Sequence, residues 1–207
     1  MKITDRLKGE MSEGVVRAIL EHAEYRVTDF GIEKQIPLAH LNKPEYKALD
    51  FPDAVKLQPD FVVLKRDETS KLFVEVKYRD NWCTEVLTKV QSQVEIFKQV
   101  VLVSFYPNAP NPKNYDSPSQ HLRCCRLRFE DGKYEVELWD GNSREHSWHP
   151  VSSIKDSDRL WWQMSPLKEI FDQFKDEGVH DALRAAVKSI SGLFKQQAVA
   201  KPVGEAK

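Results

Sequence analysis

The chain has 207 residues, of which 31 are lysine or arginine and 32 are aspartate or glutamate, so its formal net charge is −1. This length allows one domain with an appendage or two small domains. The near-zero charge excludes a strongly basic protein that coats nucleic acid, but it allows an enzyme that touches nucleic acid along one face. Hydrophobic residues make up 41% of the chain, which is enough for a packed core and excludes wholesale disorder.

The sequence predicts an intracellular, cytoplasmic protein with no membrane span. Its first residues are charged, unlike a secretory signal, and no apolar run reaches the roughly 18–20 residues that a span requires. The three cysteines, two of them adjacent, indicate neither a disulfide framework nor a C-x-x-C zinc pair. His146 and His149 have a spacing found among metal ligands. They lack a second pair of ligands nearby, so surface polar residues are the better interpretation.

The N-terminal part of the chain predicts a helix followed by an extended segment. Apolar residues recur at three- and four-residue spacing between residues 4 and 23, which is typical of an amphipathic helix. Residues 25–36 are predicted to be extended, with an interruption at Gly31. Residues 37–57 contain three prolines among mixed polar residues and are predicted to form a loop.

The next part predicts a hairpin, a helix and a buried strand. Two apolar runs, 61–64 and 72–78, are separated by a polar stretch and indicate two paired strands. Thr84 is placed to cap a helix that extends to about residue 99. Residues 100–105 are apolar except for Ser104 and favour the interior of a sheet. The predicted order is therefore helix, three strands, helix, strand, which describes an α/β fold.

The second half predicts a β-meander and then a helical hairpin. Turn dipeptides at Asp131-Gly132 and Gly141-Asn142 separate three strand-like segments. Apolar stripes over 160–174 and 179–193 predict two helices separated at Gly178. The predicted organisation is an α/β core over 1–106, a Pro/Asn-rich loop or module boundary over 107–120, a β-meander extension over 121–151, a helical hairpin over 156–195 and a disordered tail over 196–207.

Three charged residues beside the predicted hairpin form the main candidate site. Asp60 opens one strand, and Glu75 and Lys77 share one face of the next because alternate residues of a strand point the same way. Charged side chains in the middle of an apolar strand lower the stability of the fold, so their presence indicates a functional role. Two carboxylates suit a divalent cation such as Mg²⁺, which prefers oxygen ligands. A lysine beside them can orient water or stabilise developing charge. The alternative is an exposed hairpin with a surface salt bridge.

The pattern P-D, fourteen residues, E-V-K, set between two predicted helices, resembles the PD-(D/E)xK nuclease superfamily. The resemblance covers about residues 5–105. It implies a restriction-endonuclease-like mixed sheet and a Mg²⁺-dependent nuclease that hydrolyses DNA phosphodiester bonds, with Mn²⁺ able to substitute. It also implies that Asp60 and Glu75 bind the metal and that Lys77 serves catalysis.

Two further family features have counterparts here. Residues 8–13, Lys-Gly-Glu-Met-Ser-Glu, resemble the K-G-x-x-x-E opening of archaeal Holliday-junction resolvases, which makes Glu13 a further metal ligand. A glutamine on the second helix corresponds to Gln93 or Gln91, and the sequence leaves this choice open. Phe97 replaces the tyrosine of the Q-x-x-x-Y motif found in one exonuclease branch, so membership of that branch is doubtful.

Residues outside the motif leave alternatives open for DNA contact. Trp82 can stack on a base or staple the entrance of the second helix, while Arg126 and Arg128 can contact phosphates or pair with Glu135 and Glu137. The leading hypothesis is a structure-selective, resolvase-like endonuclease or a phage or defence endonuclease that acts on DNA, and a homodimer is compatible with it. The alternative hypothesis is an inactive module of the same fold that binds nucleic acid or protein.

Overall fold

The structure is a computed structural model that describes residues 3–35, 50–110, 120–141 and 143–174, and the statements below concern these residues. Within them one sheet has seven strands in chain order. The strands are β1 Arg26–Asp29, β2 Phe61–Leu64, β3 Lys71–Tyr78, β4 Gln99–Phe105, β5 Leu122–Glu130, β6 Lys133–Asp140 and β7 Glu145–Pro150. None of the described helices is long and apolar enough to cross a membrane.

The helices flank this sheet and connect its strands. They are α1 Ile3–His22, α2 Ile32–Gln35, α3 Asp53–Lys56, α4 Glu85–Lys89, α5 Gln91–Phe97, α6 Asp158–Gln163 and α7 Leu167–Ile170, and a 3₁₀ turn spans Val151–Ser153. The fold is therefore α/β, with a mostly antiparallel sheet.

One strand pair, β3 and β4, is parallel, with Val76 opposite Val103. A parallel pair needs a long crossover connection, and here α4 and α5 supply it. All other neighbouring strands are antiparallel. The helical crossover places α5 over the centre of one sheet face, beside β3.

The two faces of the sheet carry different helices. On one face α1 buries Val16 and Leu20 against residues that include Val74 and Val76 of β3. On the opposite face α4 and α5 bury side chains against Leu102 of β4. Since side chains alternate along β3, Glu75 and Lys77 lie on the α5 face. The register of one strand thus places two charged residues at the edge of a packed core.

Several elements agree with the sequence prediction. The helix predicted over 4–23, the strand over 61–64 and the three meander strands are confirmed, with small shifts of their ends. At the first meander turn, Asp131 and Gly132 both have positive φ, 51° and 74°, as a two-residue hairpin turn requires. The meander also continues the sheet, because β5 pairs with β4 along seven residue pairs.

The prediction was wrong in two segments of the N-terminal half. Only residues 26–29 of the segment predicted as extended form a strand, since the chain turns at Gly31 into α2. The segment predicted as a loop before the motif includes the helix α3. Residues 36–49 lie outside the described residues.

The predicted single helix from Thr84 to residue 99 is two helices that are separated at Val90. Thr84 makes no side-chain capping hydrogen bond, so the predicted cap was wrong. Its φ and ψ of −57° and −23° are already helical, whereas an N-cap residue normally has an extended backbone. Its N–H instead donates to Asp156 Oδ1 at 2.6 Å.

The first predicted C-terminal helix is also interrupted. It forms α6 and α7, because Ser165 leaves the helix to make a β-bridge with Cys124 and Pro166 follows it. The second predicted helix, most of the loop over 107–120 and the tail over 196–207 lie outside the described residues.

Candidate active site

Asp60 and Glu75 are brought together by the hairpin of β2 and β3. Asp60 directly precedes β2, and Phe61 lies opposite Val74, so the antiparallel register places Asp60 beside Glu75. The backbone N–H of Val76 donates to Asp60 Oδ2 at 2.7 Å. This hydrogen bond fixes the carboxylate of Asp60 against β3.

Glu75 is held from two sides. It is only 5% exposed, and Gln93 Nε2, on α5, donates to its Oε2 at 2.8 Å. Its other oxygen, Oε1, accepts a hydrogen bond from the amine of Lys77. Burial disfavours the charge of Lys77, but the carboxylates of Glu75 and Asp60 outweigh burial and raise the pKa of the amine above its usual value. Lys77 therefore stays protonated.

Glu13 reaches the same region from α1. Its Oε2 lies 3.0 Å from Lys34 Nζ, on α2. Burial raises the pKa of Glu13 above its usual value, with a smaller contribution from Glu75, while Lys34 and Lys77 oppose the increase. Glu13 on α1 thus interacts electrostatically with Glu75 and Lys77 on β3 and with Lys34 on α2.

Asp60 has the most perturbed carboxyl of the group. Burial raises its pKa well above the usual value, and the negative charges of Glu75 and Glu13 raise it further. Lys77 and the N–H of Val76 act in the opposite direction without cancelling these effects. Carboxyls such as Asp60 and Glu13, whose pKa is raised by burial and by neighbouring negative charge within one cleft, mark a candidate functional site.

These residues line a cleft of about 480 Å³. Its walls also carry two amide oxygens, Gln58 Oε1 and Gln93 Oε1, that are buried and have no hydrogen-bond partner within the described chain. The cleft is lined by Asp5, Arg6, Gly9, Glu10, Glu13, Gly31, Lys34, Lys56, Leu57, Gln58, Asp60, Glu75, Lys77, Lys89, Val90 and Gln93. Buried oxygens without donors favour a ligand that is a cation or a hydrogen-bond donor.

The oxygen atoms of the cleft fit a hard divalent cation. The recorded hydrogen bond to Asp60 is at Oδ2 and the ion pair of Glu13 is at Oε2, which leaves one oxygen of each for a metal. Within the described part of the chain no three acidic, histidine or cysteine side chains are already assembled as a ligand cluster. Mg²⁺ does not require one, because it is usually bound through one or two carboxylates, with water and substrate phosphate completing its shell.

The structure separates the two candidate glutamines. Gln93 lies in the cleft, whereas Gln91 donates from its Nε2 to Glu95 Oε1 at 2.8 Å along the same helix. Of the two candidate glutamines, Gln93 is therefore the one that contacts Glu75 in the cleft.

The proposed DNA contacts lie elsewhere. Trp82 is 9% exposed and makes an edge contact with Trp161, so it belongs to the core rather than to the cleft. Arg126 pairs with Glu137 at 2.7 Å and Arg128 pairs with Glu135 at 2.8 Å. Of the two alternatives left open by the sequence, phosphate contact or pairing with glutamates, both arginines therefore show the pairing in this structure.

The two histidines of the meander make local hydrogen bonds. His146 Nε2 lies 2.8 Å from Ser165 Oγ and 3.3 Å from Glu169 Oε2, and His149 Nε2 lies 2.8 Å from Ser147 Oγ. In the described ranges neither belongs to a group that can hold a metal. Because the serine and the carboxylate share one ring nitrogen of His146, the three residues also lack the geometry of a catalytic triad, in which they contact different nitrogens.

Gln58 and Lys34 are among the cleft residues that sequence reasoning missed. Gln58 lies two positions before Asp60, but an isolated glutamine in a predicted loop carries no pattern. Lys34 lies in a segment predicted as extended, and the interruption predicted at Gly31 did not indicate that the chain would form a helix there and carry Lys34 to Glu13. Comparison with protein-family models, with curated proteins and with solved structures finds no match for this chain.

Proposed function

We propose that this chain is a metal-dependent nuclease that hydrolyses DNA phosphodiester bonds with water as the nucleophile. One observation carries the proposal: Asp60, which is half-buried, and Glu75, which is buried, lie together in a cleft, with the protonated amine of Lys77 on Glu75. Two carboxylates withdrawn from water beside a lysine are costly to fold and suit chemistry on a phosphate.

The fold adds support for the PD-(D/E)xK assignment. The order α1, β1, β2, β3, a helical crossover and β4, with β3 and β4 parallel, agrees with the helix, three-strand, helix, strand order of that superfamily. The restriction-endonuclease-like arrangement of this core is accordingly part of the proposal.

Each residue of the cleft has a role in this hypothesis. Asp60, Glu75 and Glu13 would hold Mg²⁺ or Mn²⁺. A bound divalent cation would offset the charge of the phosphate and lower the pKa of water. Lys77 would orient the attacking water or stabilise the charge that develops on the phosphate oxygens. Gln93 would keep the carboxylate of Glu75 in place through its 2.8 Å hydrogen bond.

Within this class, a structure-selective, resolvase-like endonuclease and a phage or defence endonuclease are both proposed, with DNA as the partner and a homodimer allowed. A second candidate is a catalytically inactive module of this fold that binds nucleic acid or protein. One observation favours it: both oxygens of Glu75 are already engaged, one by Lys77 and one by Gln93.

The test incubates pure protein with Mg²⁺ or Mn²⁺ and linear, nicked, branched and single-stranded DNA. We expect the wild type to cut at least one substrate, and we expect Asp60→Ala and Glu75→Ala to abolish cleavage while most DNA binding survives. Loss of a metal ligand removes several kcal/mol of charge stabilisation in the transition state. Asp53→Ala is the matched control, since this carboxylate is 81% exposed.

Full metal-dependent cleavage by either cleft variant would overturn the site assignment. DNA binding by the wild type without cleavage of any substrate would favour the inactive module.

A further inference from the structure

Lys34 connects two of the proposed metal ligands. Its Nζ lies 3.0 Å from Glu13 Oε2. The turn that precedes α2 is fixed to the other ligand, because the N–H groups of Phe30 and Gly31 donate to the backbone carbonyl of Asp60 at 2.9 and 3.4 Å. The turn therefore holds Lys34 in the wall of the cleft, between the strand that follows Asp60 and the helix that carries Glu13.

The charges at the base of the cleft change sign with a divalent cation. Three carboxylates, of Glu13, Asp60 and Glu75, face the ammonium groups of Lys34 and Lys77. Their formal sum is negative, which repels a phosphodiester. Addition of a divalent cation makes the sum positive, which attracts one. Both lysines contribute to this attraction, because loss of either would leave the sum over these five side chains and the cation at zero.

The two lysines differ in their freedom to move. Lys77 is 27% exposed, pairs with Glu75 and is attracted by the charge of Asp60, whereas Lys34 is 42% exposed and pairs with Glu13. Lysine has a flexible stem and a compact charge. The amine of Lys34 can therefore leave Glu13 and turn toward the mouth of the cleft at low cost.

We infer that Lys34 is a substrate-binding residue: it pairs with Glu13 in the metal-free cleft, and it binds a phosphate oxygen of the nucleic-acid strand once Glu13 ligates a divalent cation. The inference rests on the proposed function, because it takes a phosphodiester strand as the substrate. It assigns a role to a lysine that no motif identifies. It also predicts that bound metal raises the affinity for the nucleic-acid strand and that the bound strand raises the affinity for the metal.

The inference requires that loss of Lys34 changes two affinities in opposite directions. Lys34→Met removes a competitor for Glu13 and a positive charge near the metal, so Mn²⁺ should bind on the order of tenfold more tightly. The same variant loses a phosphate contact, so KM for DNA should rise about tenfold with little change in kcat. A merely structural role would weaken both affinities or neither.

The experiment titrates Mn²⁺ into wild type and variants by calorimetry without DNA, and then measures kcat and KM on the best DNA substrate. Lys34→Arg keeps the charge and should restore KM to within about threefold of wild type. Lys89→Met is the matched control, because Lys89 lines the same cleft but pairs with Glu85 at 2.8 Å. It should change the Mn²⁺ affinity less than twofold.

Weaker or unchanged Mn²⁺ binding by Lys34→Met, or an unchanged KM, would overturn the inference. A wild type that binds no Mn²⁺ would instead refute the proposed metal site. If the wild type binds Mn²⁺ but cleaves nothing, the affinity for the same DNA in Mn²⁺, measured by fluorescence anisotropy, replaces KM. An unchanged DNA affinity of Lys34→Met would then count against the inference.

Discussion

The cleft and the outer strands of the meander both contain glutamates beside basic side chains, but the two regions balance their charges differently. In the cleft, Asp60, Glu75 and Glu13 share two lysines, and burial raises the pKa of Asp60 and of Glu13. Across β5 and β6, Arg126 pairs with Glu137. Arg128 pairs with Glu135 across the same strands and also lies 2.9 Å from the exposed Glu130 of its own strand.

This difference separates a site from a surface. Arginine–glutamate pairs across neighbouring strands stabilise a sheet by small amounts and need no further explanation. An excess of buried carboxylates lowers stability, and a fold retains such an arrangement most readily where it is useful. The contrast can be tested by changing one charge at a time in each region.

The largest effect on stability is expected for Lys77→Met. This change leaves the buried carboxylate of Glu75 without its ammonium partner, and breaking a buried pair from one side costs about 3 kcal/mol of unfolding free energy. Urea denaturation in the presence of chelator would measure the loss. Lys89→Met, at an exposed pair, should stay within about 0.5 kcal/mol. Equal losses in the two variants would remove the distinction between cleft and surface.

The second effect concerns pH and Asp60. Its pKa is higher in the folded than in the unfolded state, so protonation stabilises the fold, and this stabilisation is lost as the pH rises from the unfolded pKa through the folded pKa. Asp60→Asn keeps an acceptor for the N–H of Val76 but has no charge to bury. In chelator it should be more stable than wild type at pH 8, and the difference should vanish near pH 4.

Denaturation curves across this pH range provide the measurement, and Asp53→Asn is a control with an exposed carboxylate. Metal should reverse the order of stability, because Mn²⁺ bound to the folded wild type raises its melting temperature by mass action while the variant responds less. If wild type ignores Mn²⁺ and Asp60→Asn is destabilised at every pH, Asp60 is a structural cap.

The third effect distinguishes two glutamines on one helix. Gln93→Leu removes a donor to the buried Glu75, and a hydrogen bond to a charged group contributes about 1.5–3 kcal/mol. Gln91→Leu removes only a surface bond to Glu95 and should cost less than about 0.5 kcal/mol. Thermal melts of both variants in chelator would compare them. Similar losses for the two would show that the contact with Glu75 is unimportant.

The sequence predicted the features that depend on local pattern. Alternation along β3 places Glu75 and Lys77 on one side, and the short hairpin fixes Asp60 beside them. The break of the second helix at Val90 and the short helix α2 after the predicted interruption at Gly31 depend on tertiary packing, which no local pattern encodes.

The same limit applies to particular contacts. Lys34 reaches Glu13 across a turn that was predicted to be extended, and Thr84 gives its N–H to Asp156, 72 positions away. The burial of Trp82 against Trp161 likewise joins residues that are distant in the chain. Contacts of this kind cannot be predicted from local sequence, because they form only when folding of the sheet brings distant residues together.

The smallest effect is expected in the meander. Arg126→Met breaks the pair with Glu137, in which the arginine side chain is 30% exposed, so the interaction should contribute no more than about 1 kcal/mol. A double-mutant cycle with Glu137→Gln isolates this energy from other consequences of each change.

Because Arg126 is already matched by a carboxylate, its loss should also leave DNA affinity, and the dependence of that affinity on salt, within about twofold of wild type. If Arg126 contacted a phosphate, its loss would instead weaken binding to DNA of every sequence and reduce the salt slope by about one. A reduced salt slope in Arg126→Met, with its stability unchanged, would show that the meander binds DNA and that its glutamates exchange with phosphates, which would make this face part of the substrate path that leads to the cleft.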